Sequence, residues 1–230
     1  IAGVGANVDA DIIVVTSNIP PVLPLSTSIS RIAAMAYHHG DLRTELLTAA
    51  VDVARERGIE GLSLRECARR AGVSHAAPYR HFEDKNALLL ALADQGFTWL
   101  TAAGERAMTG LTDPRARIDA YGVAYVRFAV EHPIHFRLMF TRELETPTPK
   151  TVPEGSAPVA NDAFGLLVQT AGAAWSRAGG DALLAGVAAW SIPHGLAMLI
   201  LDGRIPAEHI ATTEAIEQLA RDVIQLWRNA

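Results

Sequence analysis

Residues 72–85 read GVSHAAPYRHFEDK, a run with little apolar bulk, one proline, two aromatic rings and several groups able to touch an anion. Gly72 is placed to stop a helix, since a residue without Cβ readily takes the left-handed turn that ends one. Ser74 is a candidate cap for the helix that follows, and Asp84 for the one after that. Immediately upstream, LSLRECARRA spaces Ser63 and Glu66 as a capping box, which starts a short helix running to Ala71. Two short helices around a glycine turn of three or four residues make a helix-turn-helix signature.

Outward from this stretch the text stays helical. Leu42, Leu46, Ala49, Ala50, Val53 and Ala54 share one face of a helix that Asp41 can cap and Gly58 can end. KNALLLALADQGFTWLTAAGERA, from Lys85 onward, is long enough to bridge two halves of a molecule. Ile118, Tyr121, Tyr125 and Phe128 lie on one face of the next helix. HPIHFRLMF opens another, with Pro133 in the first turn where proline is best tolerated. A proline-rich loop, TPTPKTVPEGSAPVA at 146–160, precedes a stripe of Phe164, Leu167, Val168, Ala171 and Trp175. Two more helices are expected at about 181–203 and 207–229, the second carrying Ile216, Leu219, Val223, Leu226 and Trp227. No strand and no internal repeat emerge, so the expected fold is all-α. It divides into an N-terminal three-helix unit at 37–86 and a helical body at 87–230.

Composition sets limits on function. The chain has 230 residues, half of them hydrophobic, and can bury a substantial core. A net charge of −5 excludes a surface coated in basic charge, so any contact with nucleic acid must be local. Cys67 is the single cysteine, which forbids an intrachain disulfide and fits a reducing cytoplasm. Residues 1–36 begin acidic and break at Pro20 and Pro21, unlike a signal peptide, and read as an extension without assigned fold. ALLAGVAAWSIPHGLAMLIL at 182–201 has the length of a membrane span. Ser191, Pro193 and His194 at its centre favour instead a helix buried in a helical assembly.

LSLRECARRAGVSHAAPYRHFEDKNALL resembles the DNA-binding domain of the tetracycline-repressor (TetR) family of bacterial transcription regulators. HPIHFRLMF and AAWSIPHGLAML resemble a C-terminal class of that family with a Trp-His-Gly motif, here Trp190, His194 and Gly195. The resemblance implies phosphate contacts for Ser63, Tyr79, His81 and Lys85, and base or phosphate contacts for Ser74, His75 and Ala76. Thr44 and Arg65 complete the candidate DNA-contacting set. The physics agrees: a major groove about 12 Å wide admits a helix best when its leading edge is small, as His75, Ala76 and Ala77 provide. Pro78 crowds the Ser74 carbonyl and strains the helix start. Lys85 in a first helical turn opposes the helix dipole, a choice explained if a phosphate binds there. Beside these readings stand plainer ones: Phe82 and Tyr79 as core, Lys85 as a solvated charge, Cys67 as a small core residue. Residues 37–86 hold eight Arg and Lys against eight Asp and Glu, which predicts a mild salt dependence.

The resemblance also implies a homodimer, through the helices at about 181–203 and 207–229, and a small-molecule pocket in the body. Candidate lining residues are Phe97, Leu100, Tyr121, Tyr125, Phe128, Phe136, Met139, Trp175, Trp190, His194 and Met198, with Tyr125 and His194 as polar groups in an apolar wall. An aromatic stripe at helical spacing serves equally as plain core. Trp190 and His194, four apart, share a face across the kink expected at Pro193. The expected function is a ligand-responsive DNA-binding regulator, a repressor on a palindromic operator released by a largely apolar molecule. A constitutive DNA-binding protein without effector is the alternative. No enzyme motif, cofactor or metal site is expected; His132 and His135 beside Glu131 could in principle bind a metal, but two histidines around a helix start are weak evidence for one.

Overall fold

The structure is a computed structural model that describes residues 42–141, 163–175 and 181–229. The readings of residues 1–36, of the Asp41 cap and of the 146–160 loop lie outside the described residues. Eight α-helices occur among those described, and no strand. They are α1 (Leu42–Arg57), α2 (Leu64–Arg70), α3 (Lys85–Met108), α4 (Pro114–Glu131), α5 (Pro133–Met139), α6 (Ala163–Trp175), α7 (Ala182–Leu201) and α8 (Thr213–Asn229).

Local chemistry sets the helix ends. The Ser63 hydroxyl accepts from the Glu66 amide and starts α2, as the capping-box spacing predicts. Only that half of the box forms, because the Glu66 carboxylate turns to the Arg69 guanidinium instead. At the other end Gly72 sits at φ +68° while Val73 N–H bonds Ala68 O and Gly72 N–H bonds Arg69 O. That pair of bonds is a Schellman cap, which requires the left-handed residue glycine supplies. Asp84 caps α3 by accepting from Ala87 N–H at 2.8 Å.

Two expected helices come out differently. The helix after Ser74 is a turn followed by a single 3-10 turn over Pro78–Arg80. Pro78 lacks the N–H that an α-helix would bond to Ser74 O, so Ala77 N–H bonds that carbonyl and the chain tightens to i→i+3 spacing. The last helix begins at Thr213 rather than near 207, after a separate 3-10 turn at Ala207–His209. Thr212 interrupts by capping: its hydroxyl accepts from Ala215 N–H at 3.2 Å. Pro193, by contrast, is carried inside α7 without ending it.

The helices pack as a head on a body. Leu46, Leu47, Ala50 and Val53 of α1 close over Leu64 and Cys67 of α2 and over Phe82. This core does not stop at residue 86: Leu88, Leu89 and Leu92 of α3 and Ile134 and Leu138 of α5 complete it. The remaining length of α3, about 36 Å in all at 1.5 Å per residue, runs on into the body. There it packs on α4, and Leu100 and Met108 enter a second core with Tyr121, Tyr125, Phe128, Phe136 and Leu167. α5 faces both cores, sending Ile134 and Leu138 to the head and Phe136 and Met139 to the body. A third cluster, Val126, Leu196, Ile200, Ile216 and Ala220, fastens α7 and α8 to the back of α4.

Candidate functional site

In the head, the candidate DNA contacts lie mostly at the surface. Thr44, Ser63, Arg65, Ser74, His75, Ala76 and His81 are all exposed, and Tyr79 shows 52% of its surface. An aromatic ring half in water beside a packed core is unusual without a partner to cover it. Phe82, next to it, takes the core role at 3% exposed, with the Arg43 guanidinium 5.4 Å from its ring centre. Cys67 is fully buried, and burial pushes its thiol up to about 11, so it is inert packing. Lys85 is half-buried, and its Nζ donates to Glu60 O at 3.1 Å, tying the start of α3 to the loop before α2. An ammonium has three N–H groups, so this anchor leaves two for a phosphate.

Equal numbers of acids and bases do not make the head electrically neutral everywhere. Arg69 pairs with Glu66, Arg70 with Glu56 and Glu66, Arg57 with Glu66, and Arg55 with Asp52. The Arg69 hydrogen bond holds the Glu66 carboxyl at about 2, and Arg70 lowers Glu56 in the same way. These acids are thus spent on Arg57, Arg69 and Arg70, none of them in the sequence-derived DNA-contacting set. Arg65 and Arg80, both exposed, form no ion pair among the described residues. Arg80 was not singled out from sequence, although it lies between Tyr79 and His81; its availability depends on where the acids fold.

In the body, the candidate pocket residues do come together. Leu100, Tyr121, Tyr125, Phe128, Phe136 and Met139 are buried in the second core, and Phe97, Trp175, Trp190 and Met198 pack against it. His194 joins through hydrogen bonds: the Trp190 indole N–H donates to the Tyr125 hydroxyl at 2.9 Å, and that hydroxyl meets His194 Nδ1 at 2.8 Å. Burial raises the Tyr125 pKa and lowers that of His194, so both are neutral at pH 7. Tyr121 donates to Ala163 O at 2.9 Å, pinning α6 to α4. Phe140 and Phe164, absent from the sequence-derived set, also belong here: Phe140 lies 4.7 Å from the His194 ring and Phe164 5.7 Å from Trp190. HPIHFRLMF contains Phe140, and its phase relative to Phe136, four residues earlier, was the available signal.

A concavity of about 940 Å³ lies elsewhere: an open groove between α3, α4 and α8 lined by Trp99, Ala103, Ala120, Ala124 and Arg127 among others. Of the eleven sequence-derived pocket residues only Phe128 borders it. His132 borders this groove, and Trp99 lies against the rings of both His132 and His135. His135 is 4% exposed and bonds Gln95 Oε1 at 3.0 Å. Burial, with smaller contributions from His132 and Arg55, lowers it to about 4. No group of three or more His, Cys, Asp or Glu able to hold a metal occurs among the described residues.

α7 combines a wholly uncharged sequence with wide exposure. Leu183, Leu184, Val187 and Leu199 are exposed, Leu184 at 68%, as are Leu226 (74%) and Trp227 of α8. The helix is long and apolar enough to cross a membrane by length and composition alone. In a helical body fixed by two cores, so much exposed aliphatic surface marks an interaction face.

Known proteins share both halves. The model for bacterial regulatory proteins of the tetR family matches residues 46–92, and that for the tetracyclin repressor-like C-terminal domain matches 118–223. The chain belongs to the TetR family. It is 34% identical over 104 residues to the HTH-type transcriptional activator FasR of Mycolicibacterium smegmatis, a match covering 45% of this chain and 48% of that protein. To the tetracycline repressor protein class A from transposon 1721 of Escherichia coli it is 47% identical over 49 residues, 21% of this chain and 23% of that one. The chain thus spans about half the length of the first of these relatives and about a quarter of the second. A solved structure of a protein of unknown function from Rhodococcus sp. RHA1 shares 37% identity with a TM-score of 0.63, covering 85% of this chain and 98% of that one. The TetR family transcriptional regulator PfmR from Thermus thermophilus shares the fold at 23% identity and a TM-score of 0.54, over 80% and 94% of the two chains.

Proposed function

We propose that this protein is a ligand-responsive DNA-binding transcription regulator. Residues 37–86 form the DNA-binding domain and residues 87–230 the ligand-binding and dimerisation domain. Two copies pair through α7 and α8 and set their heads on the half-sites of a palindromic operator, about one helical turn or a multiple apart. Ser63, Ser74, Tyr79, His81, Arg80 and Lys85 supply hydrogen bonds and charge to phosphates, which position the head; His75 and Ala76 face base edges. The observation that carries this reading is the exposed turn at 74–81, with Arg80 in it, on a head where Glu56 and Glu66 are tied up by other arginines.

The regulator works from the cytoplasm, by occupying its operator as a repressor and leaving it when a largely apolar molecule enters the aromatic core. The similarity to an activator supports a second reading, in which the same contacts recruit transcription rather than block it. No enzymatic activity, cofactor or membrane insertion is part of the proposal. Its test is selection of binding sites from random duplex DNA, with a Tyr79→Phe/Lys85→Ala protein as control. An enriched palindrome that the control fails to enrich is the expected result; no enrichment by a soluble dimer would overturn it. A reporter placed downstream of the selected site separates repression from activation.

A further inference from the structure

The Trp190–Tyr125–His194 chain has a direction that fixes one proton. An indole N–H can only donate, so the Tyr125 oxygen accepts from Trp190. The Tyr125 hydroxyl is buried, and its own proton needs an acceptor. His194 Nδ1, 2.8 Å away, is the partner the structure provides. Nδ1 therefore carries a lone pair, and the neutral ring bears its proton on Nε2. Among the described residues nothing accepts from Nε2. Nor is that atom sealed: the one side-chain nitrogen or oxygen both buried and unbonded among the described residues is Arg70 Nε, in the head.

Aromatic faces surround this donor. Phe140, Trp190 and Phe136 have ring centres 4.7, 5.1 and 5.7 Å from that of His194. Phe140 and Trp190 are only half-buried and Phe164, beside Trp190, is exposed, so this collar has an open side. Among the described residues no cation is recorded against these rings, and Arg137, on the same helix as Phe136, is spent on Leu201 O and the Asp202 carboxylate. The larger groove beside α8 makes a weaker case, because Arg127, Glu131, Glu217 and Arg221 in its wall already pair with one another. We infer that His194 Nε2–H is the polar recognition point of the sensor, and that it selects an uncharged, flat aromatic ligand carrying one hydrogen-bond acceptor such as a carbonyl. The ring of the ligand stacks on Phe140 and Trp190 while its oxygen accepts from Nε2. This rests on the reading of the body as a sensor; it narrows the ligand from any apolar molecule to a neutral acceptor.

The test has two arms, both on the full chain without DNA. A long-range proton–nitrogen NMR spectrum of histidine-labelled protein, with His194→Phe for assignment, reads the tautomer directly. A proton on Nε2 is expected; a proton on Nδ1 would overturn the inference. Equilibrium dialysis then compares acetylnaphthalene with ethylnaphthalene, equal in shape but without the acceptor, and with naphthoate, which adds charge. Acetylnaphthalene should bind about tenfold tighter than ethylnaphthalene, as one neutral hydrogen bond provides. His194→Phe should erase that ratio. Equal binding of the first two, tightest binding of naphthoate, or no binding of any at saturation refutes the ligand class. A failed operator selection alongside a positive result here would retire the DNA reading alone.

Discussion

Gly104, near the end of α3, offers a quantitative check on how the body is packed. A Cβ built there lies 2.6 Å from Cδ2 and 3.1 Å from Cζ of Tyr121, a ring that is 2% exposed and whose hydroxyl holds Ala163 O. Replacing glycine by alanine inside a helix normally stabilises by about 1 kcal/mol. Here the ring has nowhere to go, and overpacking of this kind costs about 1–3 kcal/mol. If the ring swings far enough to break its bond to Ala163, the stranded buried groups add about 1–3 kcal/mol more. Gly104→Ala should therefore destabilise by about 0–2 kcal/mol net if the ring keeps its bond and by about 1–5 kcal/mol if it does not, lowering Tm by roughly 2–4 °C for each kcal/mol in a chain of this size. The assay is denaturant unfolding at fixed protein concentration, because a dimer's stability depends on concentration. Tyr121→Leu removes the obstructing ring atoms, so in that background Gly104→Ala should turn neutral or stabilising, giving a coupling energy of about 2 kcal/mol. Additive effects, or stabilisation by Gly104→Ala alone, would refute the close α3–α4 crossing.

Three further outcomes follow from the geometry. Gly72→Ala meets no atom within 4 Å but must hold φ at +68°, so it should destabilise the head by about 1 kcal/mol through backbone strain alone, read as a lower denaturation midpoint. His135 has a folded-state pKa of about 4, below the usual 6.5, so the folded chain binds fewer protons than the unfolded one between those values. Its contribution is complete above pH 6.5 and is lost on acidification toward pH 4, up to about 3 kcal/mol; His135→Gln should flatten that part of the stability profile. Leu184→Glu, at the most exposed aliphatic position of α7, should convert a dimer to monomers in sedimentation velocity without loss of helix content, and an unchanged dimer would refute pairing through this face.

Much of the fold was legible because its signals are local. A cap needs a hydroxyl or carboxylate one turn ahead of an amide, and Ser63 and Asp84 stand where α2 and α3 begin. Helical phase likewise placed Tyr121, Tyr125 and Phe128 on one face, and they share one core. Pro78 also announced trouble for the helix after Ser74, but not its outcome. The 3-10 turn depends on where the freed carbonyl of Ser74 finds a donor, which is a property of the closed structure.

Charge and direction were the parts hidden from the linear text. Composition determined that the head had as many acids as bases; folding decided that Glu56 and Glu66 pair with Arg57, Arg69 and Arg70 while Arg65 and Arg80 form no ion pair among the described residues. Spacing put Trp190 and His194 on one face of α7, yet the Tyr125 hydroxyl that joins them comes from α4, more than sixty residues away. Amphipathic periodicity, caps and glycine stops act within a turn or two of the chain, so the sequence determined them by itself. Which ion pairs close, which proton a histidine keeps and which cavity stays open depend on groups that meet only when distant helices pack, and the tertiary structure alone decided those.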